Sequence, residues 1–134
     1  MIASASIDPT VQDLEALQGV WRQVAFEENG EAGAADEFGD AGIRTTIRGR
    51  RFRVCTADGT CLLEGVFTLD ATASPRAITW IDTMGPDAGR PLAAIYELRG
   101  ERFTFVAADA GMPRPARFAA GPGLTMRGFM KVPG

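Results

Sequence analysis

The sequence predicts an all-β fold, an eight-stranded antiparallel up-and-down barrel behind one short N-terminal helix. Three observations carry that reading. Short segments of alternating apolar and polar residues recur between Gly, Pro and Asp turns from Val20 to Val132, the pattern of a closed meander. A Gly19-x-Trp21 stands at the head of the first strand, directly behind a helical turn. Arg127 stands on the last strand, where closure of the barrel can return it to the Trp21 indole.

The elements follow in order. Residues 1–8 read as a loose arm, and 9–134 as a single barrel domain. Asp8-Pro9 starts a helix, with the Asp8 side chain as cap and Pro9 in the first helical position. Val11, Leu14 and Leu17 fall on one helical face, and Gly19 ends the helix. Val20–Glu27 is the first strand. Asn29-Gly30 opens a polar, Gly-rich loop to Gly42, longer than a hairpin needs, and so either a mobile segment or a lid. Ile43–Arg48 and Arg51–Thr56 are strands parted at Gly49-Arg50. Asp58-Gly59 is a hairpin turn signal. Cys61–Leu69, Arg76–Met84, Pro91–Arg99, Glu101–Ala108 and Leu124–Val132 complete the eight, with a Pro-rich connection, Met112-Pro-Arg-Pro115, before the last.

Composition bounds the function. At 134 residues the chain buries enough surface to fold without a metal or disulfide staple. Its net charge of −3 argues against general nucleic-acid binding. No apolar run reaches the length of a membrane span. The first seven residues lack the basic and apolar regions of a signal peptide, so the chain reads as cytoplasmic. Charge is uneven along it. Residues 1–40 carry nine acids against Arg22, whereas 41–60 carry Arg44, Arg48, Arg50, Arg51 and Arg53 against Asp58. Those arginines are either the solvated face of two strands or an anion-facing wall.

Several stretches together resemble the lipocalin-like superfamily, which includes the fatty-acid-binding proteins. They are Leu14-Glu-Ala-Leu-Gln-Gly-Val-Trp21, Gly65-Val-Phe-Thr-Leu-Asp70, Pro75-Arg-Ala-Ile-Thr-Trp-Ile-Asp82, Ile95-Tyr-Glu-Leu-Arg-Gly100 and Arg114-Pro-Ala-Arg-Phe118. More narrowly, they are similar to an uncharacterised bacterial lipocalin-like domain family expanded in planctomycetes. Ala94 departs from its Gly before Ile-Tyr, and Ala107 or Ala108 from its Cys in the penultimate strand. The resemblance implies a lipocalin-like barrel and no particular activity.

The chain has no histidine. That removes the commonest general base and metal ligand, and with them a Ser-His-Asp or Cys-His hydrolase and a His-ligated haem. No catalytic constellation, cofactor or metal site is read from it. Cys55 and Cys61 flank Asp58-Gly59. A two-residue turn pairs Arg53 with Glu64 and Val54 with Leu63, and sends the sulfurs to opposite faces as free thiols. A three-residue turn with a bulge at Gly59 sets them opposite each other, where a disulfide can form. The first register matches opposite charges and aligns the apolar face, and is preferred. Trp21 and Arg127 read as a structural latch, a guanidinium over an indole.

Period-two phasing turns Phe52, Val54, Phe67, Leu69, Tyr96, Leu98, Phe103, Phe105 and Met126 inward. In strand 76–84, Ile78 and Trp80 compete with Ile81 for the interior. The expected ligand-binding set is Phe52, Val54, Phe67, Trp80, Tyr96, Phe103, Phe105 and Met126. Eight strands leave a lumen that is either filled by side chains or holds one small ligand. Asp82, on an apolar strand, is expected to be partly buried beside Arg114 or Arg117. The leading functional expectation is a barrel that binds or senses a small hydrophobic or amphipathic ligand, its polar end held near Tyr96 or an arginine. The alternative is a solid interaction module that uses its loops or arginine-rich face. Oligomeric state is not legible.

Overall fold

A computed structural model describes residues 8–32 and 42–133. Most of the expected arm and of the 29–42 loop lies outside the described residues. Helix α1 spans Pro9–Leu17. It is followed by β1 (Gly19–Glu28), β2 (Glu31–Ala32), β3 (Arg44–Arg48), β4 (Arg51–Cys55), β5 (Cys61–Asp70), β6 (Ala77–Asp82), β7 (Pro91–Arg99), β8 (Arg102–Ala108) and β9 (Leu124–Lys131). Neighbours pair antiparallel in chain order from β3 to β9. β1 pairs with both β3 and β9, which closes an eight-stranded up-and-down barrel of lipocalin-like topology. β2 is a two-residue extension of β1. All eight expected strands are present, with ends moved by one or two residues. No helix among the described residues is long and apolar enough to cross a membrane.

α1 begins as its sequence dictates: the Asp8 carboxylate accepts from the Thr10 N–H at 2.8 Å, with Pro9 behind the cap. Its buried face differs from the expected one. Asp13 and Leu17, one turn apart, face the barrel, Leu14 packs beside them, and Val11 is exposed. The apolar spacing pointed to Val11; a polar network under the barrel, described below, turned the helix toward Asp13 instead.

The helix closes one end of the barrel, its base. There the Trp21 indole N–H donates to Leu17 O at 2.8 Å. Gln18 clamps the β3–β4 turn, donating to Gly49 O at 3.0 Å and accepting from the Gly49 N–H at 2.6 Å. Gly19 has φ +126°, and a side chain there would meet the Lys131 stem at 3.1 Å. Both facts require glycine before Trp21.

The interior is aromatic. Phe103 stands among Trp21, Trp80, Tyr96, Phe105 and Phe129, with ring centroids 5.8–6.3 Å apart. β6 resolves its ambiguity by turning Ile78 and Trp80 inward. Gly65 leaves the space that Phe52 fills across the β4–β5 ladder. A Cβ at Gly65 would lie 2.6 Å from the Phe52 ring and also against Ile81 O.

Two cross-strand expectations are corrected. The preferred register does hold, with Arg53 opposite Glu64 and Val54 opposite Leu63. A bulge then follows, so Cys55 faces Cys61 and the two form a disulfide. The extra residue, Leu62, absorbs the phase change, so the free-thiol reading fails although its register is right. Met126 faces outward, because Arg127 and Phe129 on either side of Gly128 take the interior positions of β9.

Candidate functional site

The lumen between these walls is narrow. A shaft of about 70 Å³ is lined by Trp21, Gln23, Thr45, Ile47, Phe52, Val54, Leu63, Trp80, Phe103, Phe105, Arg127 and Phe129. At the end away from α1 lies a wider mouth of about 370 Å³. Leu63, Trp80, Phe105 and Arg127 line both, so shaft and mouth share their walls.

Of the expected ligand-binding residues, Phe52, Val54, Trp80, Phe103 and Phe105 line the shaft. Phe67 is buried behind it, its ring 5.4 Å from Trp80. Met126 is outside. Tyr96 points to the base rather than the mouth, and its hydroxyl donates to Asp13 Oδ2 at 2.7 Å. Arg76 Nη1 donates to the same oxygen at 2.8 Å. Asp13 is almost fully enclosed, so these two donors compensate its burial. The network locks α1 under the barrel. Its residues lie 63 and 83 positions apart in sequence, and no local pattern announces it. The phenol is raised well above the tyrosine range, first by burial and then by its bond to Asp13.

The latch is also corrected. The cation over Trp21 is Lys131, its Nζ 5.3 Å from the ring centroid. Lys131 sits directly opposite Trp21 in the β1–β9 ladder, whereas Arg127 sits opposite Phe26. Arg127 accordingly lies 4.6 Å from the Phe26 ring centroid, and its Nη1 donates to Gln23 Oε1 at 2.9 Å. A bulge between Gln23 and Ala25 turns Phe26 toward it. The cation of the latch is therefore a lysine, and the arginine expected there belongs to the lumen.

The mouth carries the charge. Glu28, Asp82, Asp87 and Asp109 line it, with Arg127 beneath them. Asp82 is partly buried, as expected, but its carboxylate has neither a hydrogen bond nor an ion pair with a described residue. Arg114, one expected partner, is used elsewhere. It donates to Ile78 O at 2.8 Å, Ala94 O at 2.7 Å and Thr79 Oγ1 at 2.7 Å, which straps the Pro-rich connection over β6 and β7. Burial pushes the Asp82 carboxyl above its usual range, Asp87 adds to the shift, and the nearby Arg127 charge opposes it. Below Asp82, Trp80 is 7% exposed and its indole N–H is buried without a hydrogen-bond partner.

The arginine-rich stretch faces away from the lumen. Thr45, Ile47, Phe52 and Val54 take the inner positions of β3 and β4, leaving Arg44, Arg48, Arg51 and Arg53 outside, with Arg48 opposite Arg51.

Closure, an aromatic lumen and the lined mouth define the class: an eight-stranded up-and-down barrel with a mouth, among the described residues, at the end opposite its helix. Comparison of the chain with protein-family models, with curated proteins and with solved structures finds no match.

Proposed function

We propose that this chain is a lipocalin-like barrel that binds or senses a small amphipathic ligand, seated in the mouth with a short apolar part in the shaft. The supporting observation is the pair of cavities sharing Leu63, Trp80, Phe105 and Arg127 as common walls. The mouth falls in the size range of small-ligand sites, about 300–1,000 Å³, and the shaft does not. The ligand is therefore compact, with a single ring or a short chain entering the shaft; a long fatty acid does not fit this reading. The protein's part in it is binding rather than catalysis.

Native mass spectrometry of freshly purified protein, with displacement of an environment-sensitive dye, tests it. A co-purifying mass, or dye uptake that Phe105→Trp abolishes, supports the reading. A clean apo mass together with no dye uptake overturns it.

One observation favours a second reading, an interaction module using the outer face of β3–β4. Arg48 directly opposite Arg51 is a like-charge cross-strand pair, destabilising unless an anionic partner compensates it. Retention of the protein on an acidic polymer, lost in Arg48→Glu/Arg51→Glu, would support that reading.

A further inference from the structure

The Cys55–Cys61 bridge lies on the outer face of the barrel wall. Along β4, Phe52 and Val54 turn inward, so Arg51, Arg53 and Cys55 turn outward. The bulge brings Cys61 round to face Cys55, and both cysteines are partly exposed. A thiol in solution can therefore reach the bond.

The two sulfurs differ in their surroundings. Arg53 Nη2 donates to Cys61 Sγ at 2.9 Å. Glu64 holds the other edge of the same guanidinium, 3.5 Å from Nε. Arg44 stands opposite Cys55 in the β3–β4 ladder, but its Nη1 donates to Ile43 O. The Asp58 carboxylate is taken up by Thr56 and Thr60 within the turn. A cation against a sulfur stabilises its thiolate and makes it the better leaving group. That favours Cys61 over Cys55.

The turn also stands without the bridge. The Thr56 N–H donates to Thr60 O at 2.8 Å and the Gly59 N–H to Thr56 O at 3.0 Å. The Thr60 N–H donates to Asp58 Oδ1 at 3.0 Å. Below the turn, Val54 still pairs with Leu63 and Arg53 with Glu64. Opening the bond thus leaves two thiols facing each other across one hairpin, in position to close again.

We infer that Cys55–Cys61 is a reversible thiol–disulfide exchange site whose co-reactant is a low-molecular-weight thiol. Cys55 is the sulfur attacked, and Cys61 is the leaving group that Arg53 holds. The incoming thiolate forms a bond to Cys55 Sγ as the Cys55–Cys61 bond breaks. The bonding pair departs on Cys61 Sγ, a thiolate beside Arg53. A second thiolate attacks the small-molecule sulfur of the mixed disulfide and releases Cys55. Two thiols are thereby oxidised to one disulfide, and the bridge takes up two electrons. The two protons the thiols shed end on the cysteines or, where Cys61 stays ionised, in solvent. The small disulfide restores the bridge by the reverse steps. This site is independent of whether the lumen binds a ligand.

Timed quenching tests the inference. The oxidised chain is mixed with millimolar glutathione, trapped at intervals with N-ethylmaleimide and read by intact and tandem mass spectrometry. The expected first product carries glutathione on Cys55 and maleimide on Cys61, followed by a doubly alkylated chain. Arg53→Met should slow loss of the bridge by about tenfold, and Arg53→Lys, which keeps the charge, should restore most of the rate. A thermal melt of each variant checks its folding. Glutathione disulfide added to the reduced protein should return the bridge, with native tryptophan fluorescence in both states. Glutathione found mainly on Cys61, or an undiminished rate in folded Arg53→Met, would overturn the assignment. So would a bridge that glutathione opens only after the chain is denatured. Should Arg53→Met fail to fold, the position of the adduct on the wild-type chain decides.

Discussion

Lys131 lies over the Trp21 indole and at the same time donates to Ala16 O at 3.0 Å. One ammonium group thus covers the aromatic plug and ties the last turn of α1 to the final strand. A cation at a helix C-terminus is favourable in its own right, so the contact joins two effects. A double-mutant cycle of Lys131→Met with Trp21→Phe should show coupling of about 0.5–1 kcal/mol, read by chemical denaturation. The cycle of Arg127→Met with Trp21→Phe should be additive to within about 0.5 kcal/mol. The reverse order would return the latch to Arg127.

Tyr96 and Asp13 hold the helix to the base. The hydroxyl is bonded as a donor, and the folded-state phenol is raised above its usual value of 10.0. Above that value the unfolded chain loses the proton while the folded one keeps it, so stability falls as pH rises. The groups acting on it are Asp13, Arg76 and Asp70. Because Tyr96 is the only tyrosine, tyrosinate absorbance reads it alone. The native protein should show no tyrosinate until it unfolds at alkaline pH. Tyr96→Phe should cost about 2 kcal/mol near neutrality, the scale of a hydrogen bond to a charged group, and should lessen the alkaline loss.

Gly65 is irreplaceable for a reason of space rather than of backbone freedom. Its added Cβ would collide with the Phe52 ring and with Ile81 O. Gly65→Ala should therefore destabilise by about 1–3 kcal/mol, the usual cost of overpacking. Phe52→Leu in the same chain should recover part of that loss, because it removes the ring collision and leaves the carbonyl one. Equal stability of Gly65→Ala and wild type would refute this packing.

The Cys55–Cys61 bridge closes a short hairpin at the mouth. Its loop is small, so its reduction should cost only about 2 kcal/mol on the chain-entropy scale. Thiol titration of the unfolded, unreduced chain should find no free thiol. Two free thiols would restore the reading of unpaired cysteines.

The strand plan was legible because alternation and turn residues are local, and every barrel strand has its own. Trp21 was legible as a base residue because Gly19 and the preceding helix frame it. What escaped the sequence depends on register between distant strands. One bulge beside Gln23 decides that Arg127 meets Phe26 and leaves Trp21 to Lys131. Another, at Leu62, brings the two cysteines together. A single-residue shift inverts which side chains face inward, and alternation alone placed Met126 in the lumen that Arg127 occupies. The Asp13 network was invisible because its donors come from β7 and from the residue just before β6. The shaft residues Phe52, Val54, Trp80, Phe103 and Phe105 were legible, and Asp82 was singled out, but its excess of acidic neighbours emerges only when four separate segments meet at the mouth.

The most direct test of the mouth as the binding site uses the two tryptophans, which give two indole N–H resonances. That of Trp21 is already bonded to Leu17 O, and that of Trp80 has no partner. Trp80→Phe assigns the pair in a proton–nitrogen correlation spectrum of labelled protein, into which the environment-sensitive dye is titrated. The expected result is a saturable shift that is larger at Trp80, which lines both shaft and mouth, than at Trp21, which lines the shaft alone. A shift confined to Trp21, or saturable binding that leaves the Trp80 signal in place, would contradict a ligand seated at the mouth.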